Sequence, residues 1–431
     1  MDEEMLISLL KEEVKPALGC TEPGAVALAA ARASRILGGE IEKVEARVSP
    51  GVFKNAMRVT IPNTDEKGLI MAAALGAVLA EPERGLELFD RLSAADLEAA
   101  RCLVAQGQVK VALEKTTEFF IRARVEGSRG WAEVEVAGGH TNITRVVVNG
   151  EDVSTGNAVN SAAKVRDITN FAIKEFVSFI ETVPLGDISF LETGVKMNLL
   201  IAEKGLELKS GLGLGHGFQL LMSQGCIGDD LLTRARMMVA AACDARMAGV
   251  NLPVMTTMGS GNQGLGASIP VIIVAQELGL TMERMIRALA LSYIVTAYVK
   301  QQTGKLSPVC GCSIAAGVGA AGAINWMIGG DIVQIGGAIK NMIGNLTGMI
   351  CDGAKGGCAL KLSTSAAEAV MAAFLARQGV IVEAKDGIVS ATAEESVRNL
   401  QAISIPGMTD TDEIILQIML EESKAGACEL I

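Results

Sequence analysis

Cysteine is the residue type with most chemistry to offer in this chain. Cys310 and Cys312 stand in PVCGCSIAAG, Cys351 and Cys358 follow in GMICDGAKGGCALK, and Cys20 lies near the start in ALGCTEPGA. These are five of nine cysteines. Glycine beside the late four leaves room for thiolates to converge. Soft sulfur selects zinc, copper(I) or an iron–sulfur centre over magnesium or calcium. The loop 352–357, DGAKGG, can wrap a cluster and turn backbone N–H groups toward its sulfides. The spacing matches neither a ferredoxin run nor a zinc ribbon. The competing account is a set of ordinary buried cysteines in an alanine-rich core.

Three further groups carry polar chemistry. In GSGNQG, residues 259–264, the backbone can approach a small anion while Ser260, Asn262 and Gln263 hydrogen-bond it. A carboxylate suits the start of the helix expected to follow. The loop lacks the lysine of a phosphate-binding loop, which argues against a nucleotide. Cys20 precedes a helix led by Pro23, whose positive end is expected to lower the thiol pKa; a small buried hydrophobe is the equal alternative. Lys54 and Asn55 follow a tight turn, and His140 and Asn142 stand in GGHTNI. Cys102, Cys226 and Cys243 sit in apolar helical contexts and are expected in the core. With only two histidines, a His-rich metal site is excluded, and nothing favours a Ser–His–Asp triad.

The elements that must position these groups fall into two textures. Apolar spacing predicts helices over 6–15 and 23–37, then near 67–80 and 94–105. Alternation predicts strands over 41–48, 109–113, 119–125, 131–136 and 143–148. Another strand, 57–61, is expected to pair with 41–48 across Ser49-Pro50-Gly51. Residues 1–155 thus read as an α+β domain with a mainly antiparallel sheet, carrying Cys20, Lys54 and His140. Past the turn at 149–152, helical periods dominate (231–248, 282–298, 332–343, 366–376), with strand alternation only around Ile388 and Val389. Residues 156–431 read as a larger all-α domain.

Composition narrows the class. The chain has 431 residues, half of them hydrophobic but only 3% aromatic, which suits close-packed helices. A net charge of −11 argues against nucleic acid. The acidic N-terminus has no basic stretch of a secretory signal, and the cysteines read as reduced thiols in the cytoplasm. Residues 306–330 carry no charge and could span a bilayer by length. Their Gly, Ser, Pro and Asn instead suggest a buried core helix, so no membrane role is expected.

Taken in order, ALGCTEPGA, FKNAMRV, GGHTNI, GSGNQG, YVKQQTGKLSPVCGC and GMICDGAKGGCALK resemble the L-cysteine desulfidase family, which shares the serine dehydratase alpha-chain domain. The resemblance runs from Cys20 to the Cys358 region. It implies an oxygen-labile [4Fe–4S] cluster held by Cys312, Cys351 and Cys358, with one iron open to substrate. It further implies conversion of L-cysteine to pyruvate, ammonia and hydrogen sulfide. Cys310 has no dehydratase counterpart, and dehydratases space the 351/358 pair more widely. Cys20 falls at the family's reactive cysteine, and Thr21, Asn55, His140, Asn142, Ser260, Asn262 and Gln263 are the expected substrate contacts. Elementary chemistry agrees: an open iron takes the substrate sulfur while a base removes the Cα proton. Cys20 thiolate is the candidate base, or else a displaceable fourth ligand, and Lys54 with the Ser260/Asn262 loop is expected to fix the carboxylate. Cys428 is either a displaceable ligand or an incidental thiol. Two rivals stand beside this reading. One is the same cluster acting on L-serine; the other is a non-enzymatic helical protein with structural zinc on Cys310, Cys312, Cys351 and Cys358. Apolar Gly/Ala surfaces on the helices make a homo-oligomer the expected assembly.

Overall fold

A computed structural model describes residues 3–116, 118–154, 166–304 and 306–425. The N-terminal region is built on a six-stranded sheet. Its order is Val109–Leu113, Ile41–Val48, Phe120–Gly127, Gly130–Ala137, Ile143–Val148 and Glu151–Asp152. Only the first pair is parallel; the other pairings are antiparallel. Alternation along Ile41–Val48, Phe120–Gly127 and Gly130–Ala137 puts Val44, Ala46, Val48, Ile121, Ala123, Val125, Val134 and Val136 on one buried face. The helices Thr21–Leu37 and Gly68–Leu79 contribute alanines to the same core. The opposite face is polar, with Arg122 paired to Glu135 across strands.

One expected strand is absent. Residues 50–56 form the helix Pro50–Ala56 with Pro at its first turn, and Ile41–Val48 takes Val109–Leu113 and Phe120–Gly127 as its neighbours instead. Proline has the φ a first helical turn needs and no N–H to lose there. That preference outweighs the short apolar run at 57–61. Ile388 and Val389 likewise lie in a loop, although Val389 is buried.

Beyond the sheet the described chain is helical, apart from the short strand Val254–Met255. Helices Leu191–Leu208, Leu231–Met247, Gly261–Glu277, Met282–Thr303, Ile314–Met327, Ile332–Leu346 and Cys358–Arg377 share one core. Small residues bring their axes close: a Cβ at Gly319 would stand 2.4 Å from the Ser292 carbonyl oxygen. Every residue of Ile314–Met327 is buried, so the uncharged 306–330 stretch runs through protein. Cys358–Arg377 is long and apolar enough to cross a membrane, yet most of it is buried in the same core. Cys243 is buried as expected, but Cys102 and Cys226 are exposed. The helix bearing Cys102 buries only Ala100, and Cys226 lies past the mostly exposed helix Leu214–Ser223.

The chain ends cross over. Helix Glu3–Glu13 buries Leu6, Leu9 and Leu10 in the helical core, whereas Leu416 of Thr409–Ala425 joins the sheet-side core. After the first helix, Pro16–Ala17 pairs antiparallel with Val254–Met255. That two-residue ladder sets the Cys20 segment beside the 259–264 turn.

Candidate active site

Between the two cores lies a cavity of about 70 Å³, whose walls carry Cys20, Cys310, Cys312, Cys351 and Cys358 together. Cys310 N–H donates to the Met349 carbonyl at 2.9 Å and Cys351 N–H to the Pro308 carbonyl at 2.6 Å. This short antiparallel clamp aligns Cys310 with Cys351. Cys312 stands just ahead of Ile314–Met327, with its sulfur 3.6 Å from the Ser260 hydroxyl. Cys358 opens the helix Cys358–Arg377. Between them Gly353 takes φ +90, and a Cβ there would fall 2.2 Å from the Lys54 carbonyl oxygen, so the loop closes only with glycine.

Three of the late thiols, Cys310, Cys351 and Cys358, are held protonated. Contact with Cys312 and then burial push Cys310 up; contact with Cys310 and then burial do the same to Cys351. Burial takes Cys358 to about 11. Ligating a metal therefore requires displacing protons from this wall. Cations stand ready for the negative charge that results: Lys54, Lys300 and Lys361 line the cavity. Burial lowers the Lys300 ammonium, against the pull of Cys312, Cys351 and Cys310. Convergent soft donors with compensating cations fit an iron–sulfur cluster. Among the described residues, no three His, Cys, Asp or Glu side chains stand at single-ion spacing. A cubane spreads its ligands over a larger body.

The facing wall is organised around Glu22. Its carboxylate accepts from Cys20 Sγ at 3.0 Å, Thr21 Oγ1 at 3.1 Å and Asn55 Nδ2 at 3.2 Å. His140 Nε2 stands 3.8 Å away, an ion-pair distance too long for a hydrogen bond, and has no other partner. Burial works to raise the Glu22 carboxyl, but His140 and the Cys20 thiol outweigh it and hold it at about 2. Cys20 moves the other way. Burial first, then the Glu22 charge, push its thiol well up, against the expected depression at a helix start. The helix dipole is the weaker influence on a thiol that is buried and donates to a carboxylate.

Most expected residues do reach this cavity, in altered parts. The Gly259 carbonyl lies 2.9 Å from Thr21 Oγ1 and competes with Glu22 for its one proton, which brings the two loops together. Ser260 caps Gly261–Glu277. Asn262 accepts from Arg246 at 3.0 Å, while Gln263 Oε1 is buried without a partner. Lys54 donates to the Cys351 carbonyl at 2.8 Å and pairs with Asp412 at 2.5 Å, so it braces the thiol loop. Asn142 does not line the cavity; its amide is bonded to the Ala137 carbonyl. Cys428 lies outside the described residues. Four groups went unmarked in the sequence: Glu22, Arg246, Lys300 and Lys361. Glu22, Lys300 and Lys361 sat inside distinctive motifs; Arg246 did not. Arg246, 3% exposed, donates to the Gly19 carbonyl at 2.6 Å across 227 residues of chain.

The chain's relatives agree with this architecture. The profile of the family described as Serine dehydratase alpha chain matches residues 83–417. A UPF0597 protein of Desulforapulum autotrophicum is 43% identical, covering 96% of this chain and 97% of its own length. A UPF0597 protein of Clostridioides difficile is 42% identical over 97% of this chain and all of its own, and one of Clostridium tetani 41% over 97% and 99%.

Proposed function

The chain belongs to the serine dehydratase alpha chain family, and from that premise we propose that it is an iron–sulfur-dependent L-cysteine desulfidase. L-cysteine and water become pyruvate, ammonia and hydrogen sulfide. When bound by Cys312, Cys351 and Cys358, a [4Fe–4S] cluster would supply the Lewis acid for the departing sulfur. The observation that carries the reading is the convergence of four late thiols with Cys20, Glu22 and the 259–264 turn on one small cavity.

The chain's own residues have separable tasks. The Ser260-capped start of Gly261–Glu277 offers backbone N–H groups to the substrate carboxylate, with buried Arg246 behind it. Gln263 Oε1, an acceptor without a donor, suits the substrate ammonium. Cys20 is assigned to the Cα proton. Its S–H donates to the Glu22 carboxylate at 3.0 Å, which fixes where the sulfur points; the thiol must be deprotonated before it can act as the base. His140 Nε2 stands 3.8 Å from the same carboxylate. Lys54, tied to Asp412, holds the Cys351 loop in place. Cys310, clamped beside Cys351, is the nearest substitute ligand should Cys312 not serve. Reduced thiols of this kind belong in the cytoplasm.

Anaerobic purification followed by sulfide and pyruvate assays tests the reading. A brown protein that releases both from L-cysteine supports it. The family's description favours L-serine as the rival substrate. Pyruvate from serine with no sulfide from cysteine would replace one leaving group by the other. A colourless protein binding no iron would remove the proposal altogether.

A further inference from the structure

A second cavity, about 680 Å³, lies against the first. Among the described residues the two share only Met258 and Lys300, which are 5% and 2% exposed. Two unbranched, rotatable side chains therefore form the partition. Met258 takes φ +50, a left-handed conformation that costs a non-glycine residue, so the turn bears strain at the partition itself. The Lys300 ammonium stays on the thiol side, 3.5 Å from the Ser307 hydroxyl.

The second cavity is built from a buried floor and a charged rim. On the floor, Gln302 is 8% exposed; its side chain neighbours the Tyr298 hydroxyl, but its amide nitrogen makes no close hydrogen bond. Gln301 shapes the wall: its side chain accepts from Ile168 N–H at 2.9 Å and donates to the Arg166 carbonyl at 2.8 Å. The rim carries Arg398 with Asp167 and Glu13, one cation and two anions. Asp167 and Arg398 are exposed to solvent. Opposite charges at the mouth match a molecule bearing both a carboxylate and an ammonium.

We propose that this second cavity is an antechamber that binds a zwitterionic amino acid and passes it to the thiol cavity when Met258 and Lys300 swing aside. The ligand's class rests on the amino-acid reading of the active site; the route does not. Arg398 receives the carboxylate, Asp167 and Glu13 the ammonium, and Gln302 Nε2 donates to the carboxylate as it moves inward.

Alkylation of Cys20 in the anaerobically purified full chain tests this without any turnover. Peptide mass spectrometry follows its labelling by iodoacetamide, which is neutral, and iodoacetate, which is anionic. The exposed Cys102 and Cys226 are internal references. Met258→Trp is expected to slow Cys20 labelling on the order of tenfold and Met258→Ala to speed it, with the references unchanged. Arg398→Glu is expected to slow iodoacetate about fivefold and leave iodoacetamide alone. Unchanged Cys20 labelling in both Met258 variants, with reference rates intact, would overturn the route. Equal effects of Arg398→Glu on both reagents would overturn anion recognition at the rim. An inactive or serine-specific protein still reports both results, so the failure of the desulfidase reading is seen separately.

Discussion

The two walls of the active cavity treat their polar atoms in opposite ways. On the N-terminal wall, Glu22 collects three donors and a histidine neighbour, and carries a charge that is already compensated. On the facing wall, the Cys310 thiol reaches only Ser313, at 3.5 Å, and other thiols, while Cys358 reaches the Gly353 carbonyl at 3.6 Å. Burial and mutual contact keep those sulfurs protonated. One wall is therefore electrostatically complete as folded. The other becomes complete when a soft cation replaces its protons. On the proposed function, recognition and proton handling are preorganised separately from cluster assembly, and the two should fail separately.

The largest effect should come from the thiol wall. Cys351→Ala and Cys358→Ala are expected to abolish iron incorporation and all activity, measured by iron analysis and pyruvate release. Comparing Cys310→Ala with Cys312→Ala identifies the third ligand as the one whose loss removes iron. Next, Glu22→Gln, which loses the carboxylate that orients Cys20, should lower kcat by roughly 10² while iron content stays at the wild-type level. Loss of iron in that variant would erase the distinction between the walls. Asp412→Ala leaves the buried Lys54 ammonium without its carboxylate and should cost about 1–3 kcal/mol, read from the urea midpoint.

The smallest effects are in pH dependence. Burial and Glu22 hold the Cys20 thiol above the ordinary cysteine range, so its alkylation limb should lie at alkaline pH and move down in Glu22→Gln. The Glu22 carboxyl is depressed to about 2. Its stabilisation is complete above the ordinary glutamate value and is lost as pH falls from there through about 2. Acid unfolding should accordingly be shallower over that window in Glu22→Gln.

Much of the frame was readable from local pattern. Ile41–Val48, Gly130–Ala137 and Ile143–Val148 show their alternation directly, and the Ala-rich helices their periodicity. The misreadings share a cause. At 57–61 a short apolar run looked like a strand, but Pro50 had already committed the preceding residues to helix. Cys20 was judged from its helix start alone, whereas burial and a carboxylate two residues on set its proton. Arg246 had no local signature, because its partners are Gly19 and Asn262.

Sequence alone determined which atoms this protein can offer: soft sulfur in glycine settings, a capped turn for a small anion, and the periodicities that make one half a sheet and the other a helical core. These are properties of neighbouring residues, and neighbours in the chain are enough to express them. Tertiary structure alone decided which sulfurs meet, which proton each group keeps, and that Met258 and Lys300 border two cavities at once. Protonation depends on burial and on charges brought from distant segments, such as His140 beside Glu22 and Asp412 beside Lys54, and those exist only once the two cores have packed.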